Sequence, residues 1–233
     1  MSLRERLVRA LIIVSKDGVF TRESLKAVSG VSDSAIEDFI NSLMSDGGVL
    51  VRVGDGYKSV MPPHRLIRYF VGKGGLFIDL ESISRYLPWD EFEALIRLVF
   101  EEWGGFKVVS RLRVPVAGSR VEFDVIAHRR PWVFLIEAKR WRRVSSSIRQ
   151  IVSRHLEKVE LVAKEPEVLM SRIGVSWGGE AFLIPVVITW HRASTELIDG
   201  VPVVSIYQVN SFINEFDSLI DNVRSFRVSW RRL

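Results

Sequence analysis

An α/β fold preceded by a smaller, mostly helical unit is what three features of the sequence predict. Val121 to Ala127 and Trp132 to Ala138 are rich in β-branched and aromatic residues and flank the polar break His128-Arg129-Arg130-Pro131, the pattern of a β-hairpin. Phe182 to Trp190 is almost continuously apolar, as a strand buried on both faces in the centre of an α/β sheet has to be. Stripes of helical period surround these runs: Phe92, Leu95, Ile96, Val99 and Trp103 before the hairpin, Leu156, Val159 and Val162 after it.

From the N-terminus, Leu3 to Ser15 places Leu7, Ala10, Leu11 and Val14 on one face. Thr21 to Ser29 opens on a capping threonine, and Ser32 to Ser45 carries Ile36, Phe39, Ile40 and Leu43 as a stripe. Val49 to Val53 and Tyr57 to Met61 then flank Gly54-Asp55-Gly56, whose glycines are expected to supply the φ > 0 conformations of a tight hairpin. Three helices and a β-hairpin over residues 3 to 71 resemble a winged helix-turn-helix, a DNA-reading module. The third helix would be its recognition helix, yet Asp33, Glu37 and Asp38 on the exposed face would repel phosphates. Arg52 and Lys58 on the wing, or Arg4, Arg6 and Arg9 on the first helix, remain to grip a backbone. Dimerisation or contact with another protein is the alternative use of this unit.

Residues 1 to 72 are therefore expected to form one domain, residues 73 to 87 a linker opening on Lys73-Gly74-Gly75, and residues 88 to 233 the second domain. Leu76 to Leu87 reads as a short connecting helix before Pro88. The helix from Trp89 to Trp103 ends at Gly104-Gly105, and Phe106 to Val114 begins the sheet. Pro166 interrupts or ends the helix that follows the hairpin, Val201 to Tyr207 is the last expected strand, and Ser211 to Val223 the closing helix. His64, His128, His155 and His191 fall in four different elements without metal-ligand spacing, and all read as ordinary surface or loop histidines.

With 233 residues and an apolar fraction of 47%, the chain can fill one large core or two small ones. The absence of cysteine excludes a disulfide framework and zinc-finger chemistry. The longest apolar run, Ala181 to Trp190, is too short to span a bilayer, and the N-terminus lacks a signal-peptide core, so a cytoplasmic protein with no membrane partner is expected. A net charge of +5 favours a polyanionic partner. Scarce Asn and Gln, no Cys and a preference for Arg over Lys hint at a thermophilic source.

Chemistry concentrates in the hairpin. Folding it symmetrically about Arg130-Pro131 pairs His128 with Val133, Ile126 with Leu135, Asp124 with Glu137 and Glu122 with Lys139, all on one face. Two carboxylates opposed across a strand pair repel unless a cation lies between them, and hard oxygen donors suit Mg²⁺ or Mn²⁺. Lys139, on the same face, could hold or help deprotonate a water beside that cation. Between Lys139 and Arg154 there are six basic residues and no acidic one: Lys139, Arg140, Arg142, Arg143, Arg149 and Arg154, a candidate surface for a phosphodiester backbone.

Asp124 followed by Glu137-Ala138-Lys139 resembles the PD-(D/E)xK nuclease signature, and Glu137-Ala138-Lys139-Arg140-Trp141 the E-x-K-x-W run of Mrr-like restriction endonucleases and their archaeal relatives. Trp89-Asp90-Glu91-Phe92-Glu93, Leu95, Gly105-Phe106 and Val108 resemble that family's first helix and strand, and the likeness spans roughly residues 88 to 215. Phe123 stands where the family's proline would be. The resemblance implies a restriction-endonuclease-like mixed sheet flanked by helices. It further implies Mg²⁺-dependent DNA cleavage, with Asp124, Glu137 and the Ala138 carbonyl as ligands, Lys139 as the water-orienting residue and Glu93 as a supporting acid. Gln150 matches the glutamine that some relatives place near the site. A homodimer would suit cleavage of both strands; the alternative is a catalytically silent DNA-binding or scaffolding protein on the same fold.

Overall fold

The computed structural model describes residues 1–46, 48–72, 83, 89–139, 147–175, 177–190 and 196–231, arranged in two compact units, Met1–Glu91 and Phe92–Leu233. The linker and connecting helix expected between residues 73 and 87 lie outside the described residues, except for Ile83, which is helical.

In the first unit, α1 (Leu3–Ser15), β1 (Val19–Phe20), α2 (Arg22–Ser29), α3 (Asp33–Ser45), β2 (Leu50–Val53), β3 (Gly56–Ser59) and α4 (Pro63–Gly72) follow one another. Thr21 caps α2 through a reciprocal pair of bonds with Ser24. The Arg6 guanidinium donates to the Ser29 and Gly30 carbonyls at the other end of α2, so this arginine stabilises a helix C-terminus instead of facing a phosphate. The hairpin β2–β3 gains β1 as a third strand, in the order β1-β3-β2. Its glycines do two different things. Gly54 takes φ +59°, the position at which a two-residue hairpin turn of type II′ requires glycine. Gly56 needs no positive φ; a Cβ there would stand 2.7 Å from the Phe20 carbonyl oxygen, so glycine is what lets β1 lie against β3.

The second unit is α/β, with a seven-stranded mixed sheet between helices. The helix α5 (Trp89–Leu98) passes into a π-helical turn, Val99–Trp103, closed by Gly104 N–H donating to the Val99 carbonyl. A Cβ on Gly104 would stand 2.6 Å from the Phe106 ring, so the turn depends on glycine. The strands β4 (Lys107–Val116), β5 (Ser119–Arg129) and β6 (Trp132–Lys139) run antiparallel, and β7 (Gly179–Thr189) lies parallel to β6. Between β6 and β7 come α6 (Ile148–Lys164) and α7 (Pro166–Arg172); Pro166 occupies the first turn of α7, where its missing N–H costs nothing. Beyond β7 follow β8 (Glu196–Ile198), β9 (Val201–Ser205), α8 (Val209–Leu219) with a 3₁₀ turn (Ile220–Asn222), and a strand the periodicity did not announce, β10 (Phe226–Trp230).

Alternate residues of β6 face the two helical layers. Val133 and Leu135 pack with Val159 and Val162 of α6 and Leu169 and Met170 of α7. Phe134, on the other face, meets Phe100, Phe212 and Phe216. The central strand β7 contains Pro185, which cannot donate to a ladder. It is accommodated because β10 pairs with β7 only over residues 179 to 183 and β9 only over residues 187 to 189, so Pro185 falls between them. His128 and His155, expected at the surface, are both buried, and the burial lowers both pKa values.

Candidate active site

The hairpin has the register expected from its symmetry: Ile126 faces Leu135 and His128 faces Val133. The ladder stops at Val125 and Ile136, one pair short of Asp124 and Glu137, so the expected direct opposition of these two acids, and of Glu122 with Lys139, is not part of it. Glu122 instead faces Arg113 of β4 and is ion-paired with it. The ladder between β4 and β5 also skips Asp124: Ser110 pairs with Val125 and Leu112 with Phe123. Arg111, the residue between Ser110 and Leu112, has φ +51°, a left-handed conformation that costs a non-glycine residue about 1 to 2 kcal/mol. Strain of that kind gathers where a side chain is being aimed.

β5 thus parts from β6 at Asp124, and the gap is filled by side chains. Asp124 Oδ2 accepts the Ala138 N–H at 2.7 Å, replacing a bond the ladder no longer makes. Glu137 is buried and its carboxylate lies between two ammonium groups: Lys139 Nζ donates to Oε1 at 2.6 Å and Lys158 Nζ, from α6, to Oε2 at 2.8 Å. Lys158 Nζ also donates to the Glu122 carbonyl at 3.2 Å, so it bridges the two parted strands. Glu93 is buried on α5, and Arg111 Nε donates to its Oε2 at 2.7 Å.

The electrostatics separate the acids. Burial raises the Asp124 pKa, the Ala138 N–H opposes this, and the nearby charges of Glu137 and Glu93 raise it further. Burial also penalises ionised Glu137, but Lys139 and Lys158 outweigh it and hold this carboxyl below its ordinary value. His155 Nε2 donates to the Leu135 carbonyl at 2.8 Å, leaving Nδ1 without a hydrogen-bond partner 3.8 Å from Glu137 Oε2. Its pKa is pushed down to about 4, chiefly by burial, so the ring is neutral and Nδ1 offers a lone pair.

The structure therefore brings Glu137, Lys139 and Glu93 within electrostatic reach of Asp124, at the carboxyl end of β6 and beside the Ala138 backbone. Among the described residues, no group of three or more Asp, Glu and His side chains is arranged to hold a metal ion. Two carboxylates and a main-chain carbonyl are donors of the type a hard divalent cation takes, which commonly uses one or two carboxylates and water.

Arg140, Arg142 and Arg143 lie outside the described residues. Arg149, Gln150 and Arg154 are exposed on α6. Arg149 and Arg154 are five residues apart, about 140° around a helix, and do not share a face; Arg154 and Lys158, four apart, do. Arg52 pairs with Tyr57 and Val51 with Lys58, so the two wing cations Arg52 and Lys58 point to opposite faces of their hairpin. Lys158, His155 and Arg111 escaped the sequence reading. The only available signal was the place of Lys158 one turn beyond Arg154 on an amphipathic helix, which does not say what it meets.

No family model and no curated protein matches the chain. Among solved structures, a protein of unknown function, AF1548, is similar at 18% identity and a TM-score of 0.36, over 48% of this chain and 55% of its own. The protein VC1899 from Vibrio cholerae is similar at 8% identity and a TM-score of 0.35, over 94% of this chain and 52% of its own. An assembly of Thermococcus gammatolerans McrB AAA+ hexamers with bound McrC contains a chain similar at 12% identity and a TM-score of 0.34, over 94% and 52%. The chain spans about half the length of each of these three solved chains. Likeness at this level carries no argument about family or activity.

Proposed function

We propose that the chain is a Mg²⁺- or Mn²⁺-dependent DNA endonuclease, with a restriction-endonuclease-like second unit bearing a PD-(D/E)xK site and a winged helix-turn-helix as its first unit. The observation that carries this reading is the meeting of Asp124, Glu137 and Lys139 where β5 parts from β6, with Glu93 close enough for Asp124 to feel its charge. Asp124, Glu137 and the Ala138 carbonyl would hold the cation, which when bound polarises a phosphodiester and acidifies water. Lys139 orients the attacking water from the rim of the site. Glu93, fixed by Arg111, keeps the local field negative, and Arg154 meets a flanking phosphate. Two copies related by the duplex dyad would cut both strands.

A second reading, a silent DNA-binding or scaffolding protein, draws on a specific feature: both Glu137 oxygens are taken by lysines and one Asp124 oxygen by a backbone amide. One assay separates the two. Purified protein incubated with linear, circular and branched DNA and Mg²⁺ or Mn²⁺ is expected to cleave, EDTA to stop it, and Asp124→Asn, Glu137→Gln and Lys139→Ala each to abolish turnover while DNA binding persists. No cleavage of any substrate, or cleavage surviving in all three variants, ends the nuclease reading.

A further inference from the structure

Lys158 belongs to no part of the signature, yet it makes a contact with Glu137 comparable to that of Lys139 and comes from a different element. Its Nζ lies 2.8 Å from Glu137 Oε2 and 3.2 Å from the Glu122 carbonyl oxygen, at the fork where β5 leaves β6. Another polar group near that oxygen, His155 Nδ1, stands 3.8 Å away and makes no hydrogen bond to it, so among the described residues the direct contact to Oε2 comes from Lys158. Burying an ionised carboxylate without a counter-charge costs several kcal/mol, so an acid placed here to receive a cation needs a substitute cation while that ion is absent.

We propose that the Lys158 ammonium is this resident counter-ion: it holds and aims the Glu137 carboxylate in the metal-free protein, and it competes with a divalent cation for Oε2. The inference rests on the metal site of the proposed nuclease and concerns how that site is kept ready. Lys158 is accordingly a positioning residue. Its side chain is about one-third exposed, so it has room to withdraw towards solvent on the Arg154 side of α6. A purely structural staple would behave in the opposite way, since removing it would loosen the fork and disperse the ligands.

The test is cation affinity, read without DNA. Mn²⁺ is titrated into wild-type protein, Lys158→Met and Lys158→Arg, with free ion followed by electron paramagnetic resonance. Removing one positive charge a few ångströms from a divalent ion is expected to tighten Mn²⁺ binding in Lys158→Met by at least about tenfold. Lys158→Arg should stay near wild type. In the wild type itself, lysine ammonium resonances followed by ¹⁵N NMR should include one, assigned to Lys158 through the arginine variant, that shifts on adding Mg²⁺ with the midpoint of cation uptake. That measurement decides the matter even if Lys158→Met does not fold. Equal or weaker Mn²⁺ binding in Lys158→Met, or a Lys158 signal indifferent to Mg²⁺, overturns the proposal while leaving the nuclease reading in place. No cation uptake by any of the proteins overturns both. Tighter uptake in a protein that cuts no DNA supports the counter-ion and removes the nuclease.

Discussion

At the scale of single residues, His155 shows how an apparently ordinary side chain acquires a role through its surroundings. The sequence offered it as one exposed histidine among four, but its ring is buried behind β6, with one nitrogen on the Leu135 carbonyl and the other facing Glu137. Its pKa falls from 6.5 to about 4, so between these values the unfolded chain binds a proton that the folded chain refuses. Stability from this group is therefore complete above pH 6.5 and lost as pH falls towards 4, by about 3 kcal/mol in all. Urea denaturation at pH 7 and pH 4.5 should show the wild type losing much more stability than His155→Gln, which keeps a donor for Leu135 and cannot be protonated. Equal losses in the two proteins would assign the acid sensitivity elsewhere.

At the scale of elements, α6 and β5 decide what the site can do. The hairpin was legible because its register follows from period two and a short break, both local properties. The parting of β5 from β6 was not legible; it falls where Arg111 of β4, opposite Asp124, turns into the left-handed region, a feature no local period encodes. The helix α6 reads from sequence as a basic element, but its geometry divides that charge between faces. Of the two exposed arginines on α6, Arg154 shares the edge of Lys158, whereas Arg149 points about 140° away from Arg154 and about 180° from Lys158. Arg154→Ala should therefore weaken duplex binding in EDTA and lower the slope of log K against log salt by about 0.9, while Arg149→Ala leaves the slope unchanged. Salt titrations by fluorescence anisotropy check both, and a larger slope change for Arg149→Ala would mean that DNA approaches from the other side.

At the scale of the whole molecule, a net charge of +5 predicts attraction to polyanions but not where they dock. In the first unit, α3 has its acids Asp33 and Glu37 paired with Lys26 and Arg22 of α2, and the wing sends Arg52 and Lys58 to opposite faces. One duplex backbone can meet only one of those wing cations, so Arg52→Ala combined with Lys58→Ala should lower the salt slope by about 0.9, not by twice that amount. A drop of about 1.8 in the same anisotropy titration would show that both touch phosphates. The sequence by itself determined most of the helices and strands, the register about Arg130-Pro131, and the local grouping of Asp124, Glu137 and Lys139, because spacing along one or two strands fixes which side chains share a face; the helices α4 and α7 it did not announce. Only the tertiary structure decided that β10 joins β7 beside Pro185, that Arg111 holds Glu93, and that Lys158 and His155 close on Glu137 from α6. Those contacts join residues of different elements, and how elements pack depends on the shapes of buried faces, which no local period encodes.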